Sequence, residues 1–172
     1  MSTNPYAAPR AEVGDVEVAQ EYQEIQMWSA SGRIGRLRYL AYFTGSMLLA
    51  GAVAGLLGAI LDQALAGIAA IALYVAVTVY SIITSIKRSH DMDWSGWTVL
   101  LTLIPLVGLI WVFKSGTPGP NSYGAPPPPN STGVKILGFL LPALFIVGML
   151  AAIAIPAYVD YQKRAAGYEQ PE

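Results

Sequence analysis

The chain is expected to fold as an all-α integral membrane bundle of about four transmembrane helices. Three observations predict this. Of its 172 residues, 54% are hydrophobic and only 12% are charged, whereas a soluble domain carries about 25% charged residues. The charge is also unevenly placed, because between Tyr39 and Ile86 only Asp62 bears one. Finally, four apolar runs, Tyr39–Leu61, Ala64–Ile86, Trp97–Phe113 and Ile136–Tyr158, come near the roughly 20 residues needed to cross about 30 Å of hydrocarbon. No long alternating segments of the barrel kind occur, so helices must satisfy the backbone in lipid.

Residues 1–28 form a polar, acidic tail that is expected to be largely disordered. Within it, Asp15 is a candidate cap for a short surface helix running to about Met27. Arg33, Arg36 and Arg38 immediately precede the first span. Arginine beside a span marks the cytoplasmic side, so the N-terminus is expected there. In the first span, Gly51, Gly55 and Gly58 line one side, and small residues let helix backbones approach closely. The favoured role is packing against the second span; a dimer interface is the alternative. The loop at Asp62 carries no Lys or Arg and should face the opposite side.

Lys87, Arg88, His90, Asp91 and Asp93 fall within seven residues between the second and third runs. This polar hinge is the densest concentration of charge in the chain, and His90 is its only histidine. Asp91 is expected to pair with Arg33, Arg36 or Arg88 and to set the hinge geometry. Trp94, Trp97 and Trp111 read as interface anchors, and Tyr74 and Tyr80 as packing residues. The third run spans only about 25 Å at 1.5 Å per residue, with Pro105 and Gly108 near its middle. Either it crosses as a kinked helix, or it dips in at Trp97–Ile104 and returns over Leu106–Phe113. If it crosses, Lys114 and Lys135 lie outside; if it re-enters, Lys163 and Arg164 do, so the positive-inside count is tied. Gly116–Gly124 is dense in turn formers, and 126–135 forms a Pro/Ser/Gly linker. The expected domains are therefore the tail 1–28, a membrane domain 29–125, that linker, and a final membrane helix with a polar end over 136–172.

Four motifs in order carry a family resemblance. They are Gly32, Arg33 and Arg36 before the first span; Lys87, Arg88, His90, Asp91 and Trp97 before the third; Ile104, Pro105 and Gly108 inside it; and Gly116, Thr117, Gly119, Asn121 and Gly124 after it. Together they resemble domain-of-unknown-function family 805, the YhaH-like bacterial inner-membrane proteins, over roughly residues 28–127. The resemblance implies a small multi-span inner-membrane protein without an established activity. Met92, Asp93 and Trp94 depart slightly from the family pattern. A second resemblance covers Gly148–Ala165, which looks like the N-terminal helix of type IV pilins. That segment lacks the pilin glutamate, contains no acid over Ile136–Ile155 and carries Pro142. It is read as a pilin-like membrane helix rather than a pilin.

The function classes narrow accordingly. A net charge of −1 argues against a nucleic-acid partner. The absence of cysteine excludes disulfides and thiol chemistry. No cleavable leader pattern is visible, so the first span is expected to act as its own insertion signal. His90 lacks companion ligands for a metal and a patterned nucleophile for catalysis, and Gly116–Gly124 lacks the Lys-Ser/Thr of a phosphate loop. A cap folding over the His90 hinge, with Asn121 near Arg88 and Asp91, is expected instead. No catalytic residue, cofactor or metal is expected. The reading is a non-enzymatic inner-membrane scaffold or accessory subunit in contact with lipid, including anionic lipid, and with a membrane partner or a second copy. A small-solute transporter component and a pilus accessory are the alternatives.

Overall fold

The computed structural model of the chain describes residues 21–104 and 106–168. Pro105, Asp15 and the rest of the first 20 residues lie outside the described residues. Four α-helices follow in order: α1 (Arg36–Ile60), α2 (Gln63–Asp91), α3 (Leu109–Phe113) and α4 (Thr132–Tyr168), with a 3₁₀ stretch over Gly96–Leu103 between α2 and α3. α1, α2 and α4 are long and apolar enough to cross a membrane.

α1 and α2 make an antiparallel hairpin. Asp62 caps α2, accepting from the Ala64 and Leu65 amides at 2.9 and 3.1 Å. An aspartate here suits both the orphan amides and the helix dipole. The other end of α2 closes with a Schellman pattern: the Trp94 amide reaches the Ser89 carbonyl and the Asp93 amide reaches that of His90, both at 3.0 Å. The residue past such a cap usually adopts the left-handed region. Asp93, at φ 59, occupies it here. Met92–Trp94 thus form this cap, where an aspartate tolerates a conformation normally given to glycine.

The third apolar run doubles back along α2 instead of continuing as one straight helix. It starts against the end of α2, since a Cβ on Gly96 would sit 3.0 Å from the Ile86 side chain. It then runs along α2 until Thr102 shares a small cavity with Thr78 and Ser81. It returns so that the Trp111 indole donates to the Ser85 carbonyl and the Ser89 hydroxyl. Both ends of the run therefore meet the same two turns of α2. Leu106, at φ 69, turns the chain. Trp111 is correspondingly buried, where an interface anchor was expected, while Trp97 is exposed as expected. Tyr80 is buried, but Tyr74, also expected to pack, is 74% exposed.

Two further expectations change. Gly51, Gly55 and Gly58 do not pack α1 on α2, because a Cβ at each would meet nothing within 4 Å. The close approach is made by α4: a Cβ on Gly138 would lie 2.6 Å from the Leu37 carbonyl oxygen. Residues 21–26 have no regular secondary structure and Met27 and Trp28 form a turn, the segment lying against the bundle. The Gln23 amide donates to Pro126, its side chain to the Arg33 carbonyl, and Trp28 leans on Tyr80 at 5.4 Å between ring centroids. The proline run is held in turn, with Arg38 donating to Pro129 at 3.0 Å. α4 has 37 residues, about 55 Å at 1.5 Å per residue, well beyond one bilayer core.

Candidate functional site

The end of the bundle formed by the start of α1 and the end of α2 carries a buried polar cluster. Arg33, Lys87, Arg88 and Asp91 are each no more than 3% exposed. Long charged side chains are almost never so buried unless paired. Helical spacing explains part of the arrangement, because Arg88 and Asp91 are three apart on α2 and share a face. Arg33 reaches the same carboxylate from the segment before α1.

Asp91 divides its two oxygens between the arginines. Oδ1 accepts from Arg33, with Nη2 at 3.1 Å and Nε at 3.3 Å, and Oδ2 accepts from Arg88 Nη1 at 2.7 Å. Arg36, the third expected partner, is exposed and donates to the Phe113 carbonyl at 3.1 Å instead. The remaining arginine donors go to backbone carbonyls. Arg33 donates to Thr117, Gly119 and Gly124 at 2.7, 2.7 and 3.2 Å. Arg88 donates to Trp111 at 2.8 Å and to Lys114. Lys87 donates to Gln26. Each bond to a charged group contributes on the order of 1.5–3 kcal/mol net.

The loop 116–124 is the expected cap over the hinge. Thr117 anchors it, its amide donating to the Asp91 carbonyl at 2.8 Å. Asn121 Nδ2 donates to the His90 carbonyl and to the Thr117 hydroxyl, both at 2.8 Å. Asn121 thus meets the backbone of the hinge rather than the side chains of Arg88 and Asp91. Asn121 and Gly124 close a tight turn through paired backbone bonds of 3.0 and 3.1 Å. Gly119 and Gly124 have φ of 68° and 117°, a region open to glycine at little cost. Gly116 is required for space: a Cβ there would overlap the Asp91 carboxylate.

His90 is held on two sides. Its Nδ1 lies 3.1 Å from the Gly32 carbonyl, which fixes the proton on that nitrogen, and its ring stacks on Tyr123 at 3.8 Å and 6°. Trp94 packs edge-on to Trp111, with the Lys114 ammonium 3.9 Å from its ring centre. Among the described residues no three or more His, Cys, Asp or Glu side chains gather as a metal site. Asp91 is buried with both oxygens engaged by arginine, and among the described residues no serine hydroxyl is bonded to the His90 ring as a nucleophile would be. The arrangement is suited to hold geometry more than to move protons.

The structure thus brings Arg33, Lys87, Arg88, His90, Asp91, Gly116, Thr117, Gly119, Asn121 and Gly124 into one cluster. Arg36 lies at its edge and Trp97 outside it, facing away. Sequence reasoning did not find Gln23, Gln26, Ser85, Ser89 or Tyr123. Ser85 and Ser89 were legible in principle, since they lie one helical turn apart on the face that also carries Arg88.

A protein-family model described as "Protein of unknown function (DUF805)" matches residues 27–125, more than half of the chain. Two curated relatives, each named "Inner membrane protein YhaH", come from Escherichia coli strain K12 and Escherichia coli O157:H7. Each is 49% identical over 45 residues, or 24% of this chain and 37% of the relative. The match therefore spans little more than a third of the relatives' length. No solved structure matches the chain. The family model ends before α4, so the pilin-like character of Gly148–Ala165 has no counterpart in it.

Proposed function

The chain belongs to the DUF805 family, and from that premise we propose that it is a non-enzymatic scaffold or accessory subunit of a bacterial inner membrane. Its capped hinge faces the cytoplasm as a rigid platform for a partner protein. The observation that carries this reading is the closure of the polar cluster on itself. The five donors of Arg33 and both oxygens of Asp91 are taken up within the chain, which favours fixed shape over chemistry. Re-entry of the third run supports the orientation. Arg33, Arg36, Arg38, Lys87, Arg88, Lys114 and Lys135 then share the capped end, against Lys163 and Arg164 at the far end of α4.

The test is a photo-crosslinking residue at exposed Ser122 on the cap, with lipid-facing Tyr74 as the control position, in living cells. A discrete protein adduct at Ser122 that is absent at Tyr74 is expected. Indistinguishable labelling at the two positions would sink the platform. So would His90→Ala abolishing a cellular phenotype in a protein that remains fully folded, because the hinge would then be a reaction centre.

A further inference from the structure

We propose that residues 21–28 are a strap closed over the buried Lys87 ammonium, poised to lift and present that charge at the hinge end of the bundle. The proposal does not depend on the platform reading. Apart from the turn at Met27 and Trp28, the strap has no regular secondary structure, so its attachment rests on separate points. The Gln23 amide donates to the Pro126 carbonyl at 3.2 Å, and the Gln23 side chain donates to the Arg33 carbonyl. The side-chain oxygen of Gln23 sits in a notch between two glycines of positive φ. A Cβ on Gly32 would lie 2.9 Å from it and one on Gly124 3.8 Å. Trp28 leans on Tyr80 but stays 73% exposed.

Lys87 supplies the second, independent observation. It is 2% exposed, and its Nζ donates to the Gln26 carbonyl of the strap. Arg33 and Arg88 share the carboxylate of Asp91, whereas Lys87 has no carboxylate partner among the described residues. The buried polar residues there include Arg33, Arg38, Lys87 and Arg88 against Asp91 alone, so the cluster is short of negative charge. An ammonium has three donors, and one neutral carbonyl returns less than its removal from water costs.

The closed strap therefore carries a penalty that lifting relieves. Water then reaches the ammonium, and Gln26, which is already exposed, keeps a solvent partner for its carbonyl. The Gln23 seat and the Trp28 contact hold the strap down against this penalty. A segment that belonged simply to the core would be loosened by the loss of any of its contacts. A poised strap responds with opposite signs: losing the Gln23 seat frees it, and losing the Lys87 charge tightens it.

The test is hydrogen exchange on the full chain in nanodiscs, read by mass spectrometry at the Gln23 amide, with amine labelling beside it. In the wild type that amide is expected to exchange at least about tenfold slower than an unstructured amide and at least about tenfold faster than the amides of residues 81–88 in α2. Lys87→Met and Lys87→Gln both remove the charge and should slow Gln23 exchange by about tenfold, while melting no lower than the wild type. Gln23→Ala should speed exchange at the same position by about fivefold. The Lys87 amine should react with a water-soluble ester through the lifted strap, so Gln23→Ala should speed its labelling by the same factor and leave exposed Lys114 unchanged. Unchanged or faster exchange in the two Lys87 variants would overturn the proposal, because the ammonium would then hold the strap down. Exchange of the wild-type Gln23 amide at the rate of α2, or at the unstructured rate, would overturn it as well. So would Lys87 labelling that ignores Gln23→Ala, because the strap would then not be what covers the amine.

Discussion

Asp91→Asn removes one charge and changes almost no volume. In the folded protein that carboxylate faces two guanidinium groups whose side chains are fully buried, at 3.1 Å from Arg33 and 2.7 Å from Arg88. Asparagine keeps one carbonyl oxygen for one arginine and turns an amide N–H₂ toward the donors of the other. With the amide nitrogen in the Oδ1 position the two Arg33 contacts are lost, each about 1.5–3 kcal/mol. Breaking a buried pair from one side costs about 3–5 kcal/mol, because an uncompensated charge is left in low dielectric. Both routes converge near 4 kcal/mol. At about 2–4 °C per kcal/mol for a chain of this size, the melting midpoint in mild detergent should fall by roughly 8–16 °C. Arg36→Gln is the matched control: its contact to Phe113 is exposed, and the loss should stay below about 1 kcal/mol. A midpoint within about 3 °C of wild type for Asp91→Asn would refute the reasoning and show that the arginines are supported by their carbonyl partners alone.

Further predictions follow from the same structure. With no native cysteine in the chain, single cysteines at Trp97 and Lys114 should react with a membrane-impermeant maleimide from the same side, and one at Leu103 should be protected; labelling of Trp97 and Lys114 from opposite sides would restore a full crossing. Trp111→Phe keeps the ring but strands the Ser85 and Ser89 acceptors, which should cost about 1–3 kcal/mol by thermal melting; no change would mean the indole bonds do not hold the re-entrant run. Gly138→Val should lower the melting midpoint by forcing α4 from Leu37, at a cost of about 1–3 kcal/mol. Alanine at Gly51, Gly55 or Gly58 should instead be neutral or stabilising by up to about 1 kcal/mol. Loss of stability or of an oligomer in those alanine variants would mean that this face meets a partner. Reporter fusions at Asn130 and Glu172 should read opposite sides of the membrane, and matching signals would remove α4 as a crossing.

How much was legible in the sequence depended on the range of the interaction. Charge depletion between Tyr39 and Ile86 specified the α1–α2 hairpin with Asp62 at its tip, because that signal is local; the capping of α2 by Asp62 was seen only in the structure. The pairing of Asp91 with Arg33 and Arg88 was legible too, since a buried carboxylate between spans needs a cation and few were near. The loop over the hinge followed from turn residues spaced as a compact cap. What failed was partner choice among small or aromatic side chains. A stripe of Gly51, Gly55 and Gly58 carries no information about which neighbour it meets, and the contact fell to Gly138, a single glycine in an otherwise bulky run. Trp111 shows the same limit: nothing at one end of an apolar run says whether an indole finds water or a carbonyl. Hydropathy counts residues rather than backbone conformation, so it could not separate a short kinked crossing from a 3₁₀ stretch that turns back.

The polar cap joins parts of the chain that are made at very different times. Arg33 bonds to Asp91 across 58 residues and to the carbonyls of Thr117, Gly119 and Gly124 across 84, 86 and 91. At about 5–20 residues per second, some 5–20 s separate the synthesis of Arg33 from that of its last acceptor. Until Asp91 is made, 58 residues on, its charge lacks this carboxylate and is best kept in water. The orientation of the first hairpin is therefore decided by a hydrated arginine well before the cap exists, and closing the cap then locks that decision in place. A nascent chain that stops short of Gly124 inserts its first two helices but leaves this lock open, with a guanidinium exposed where the finished protein hides it.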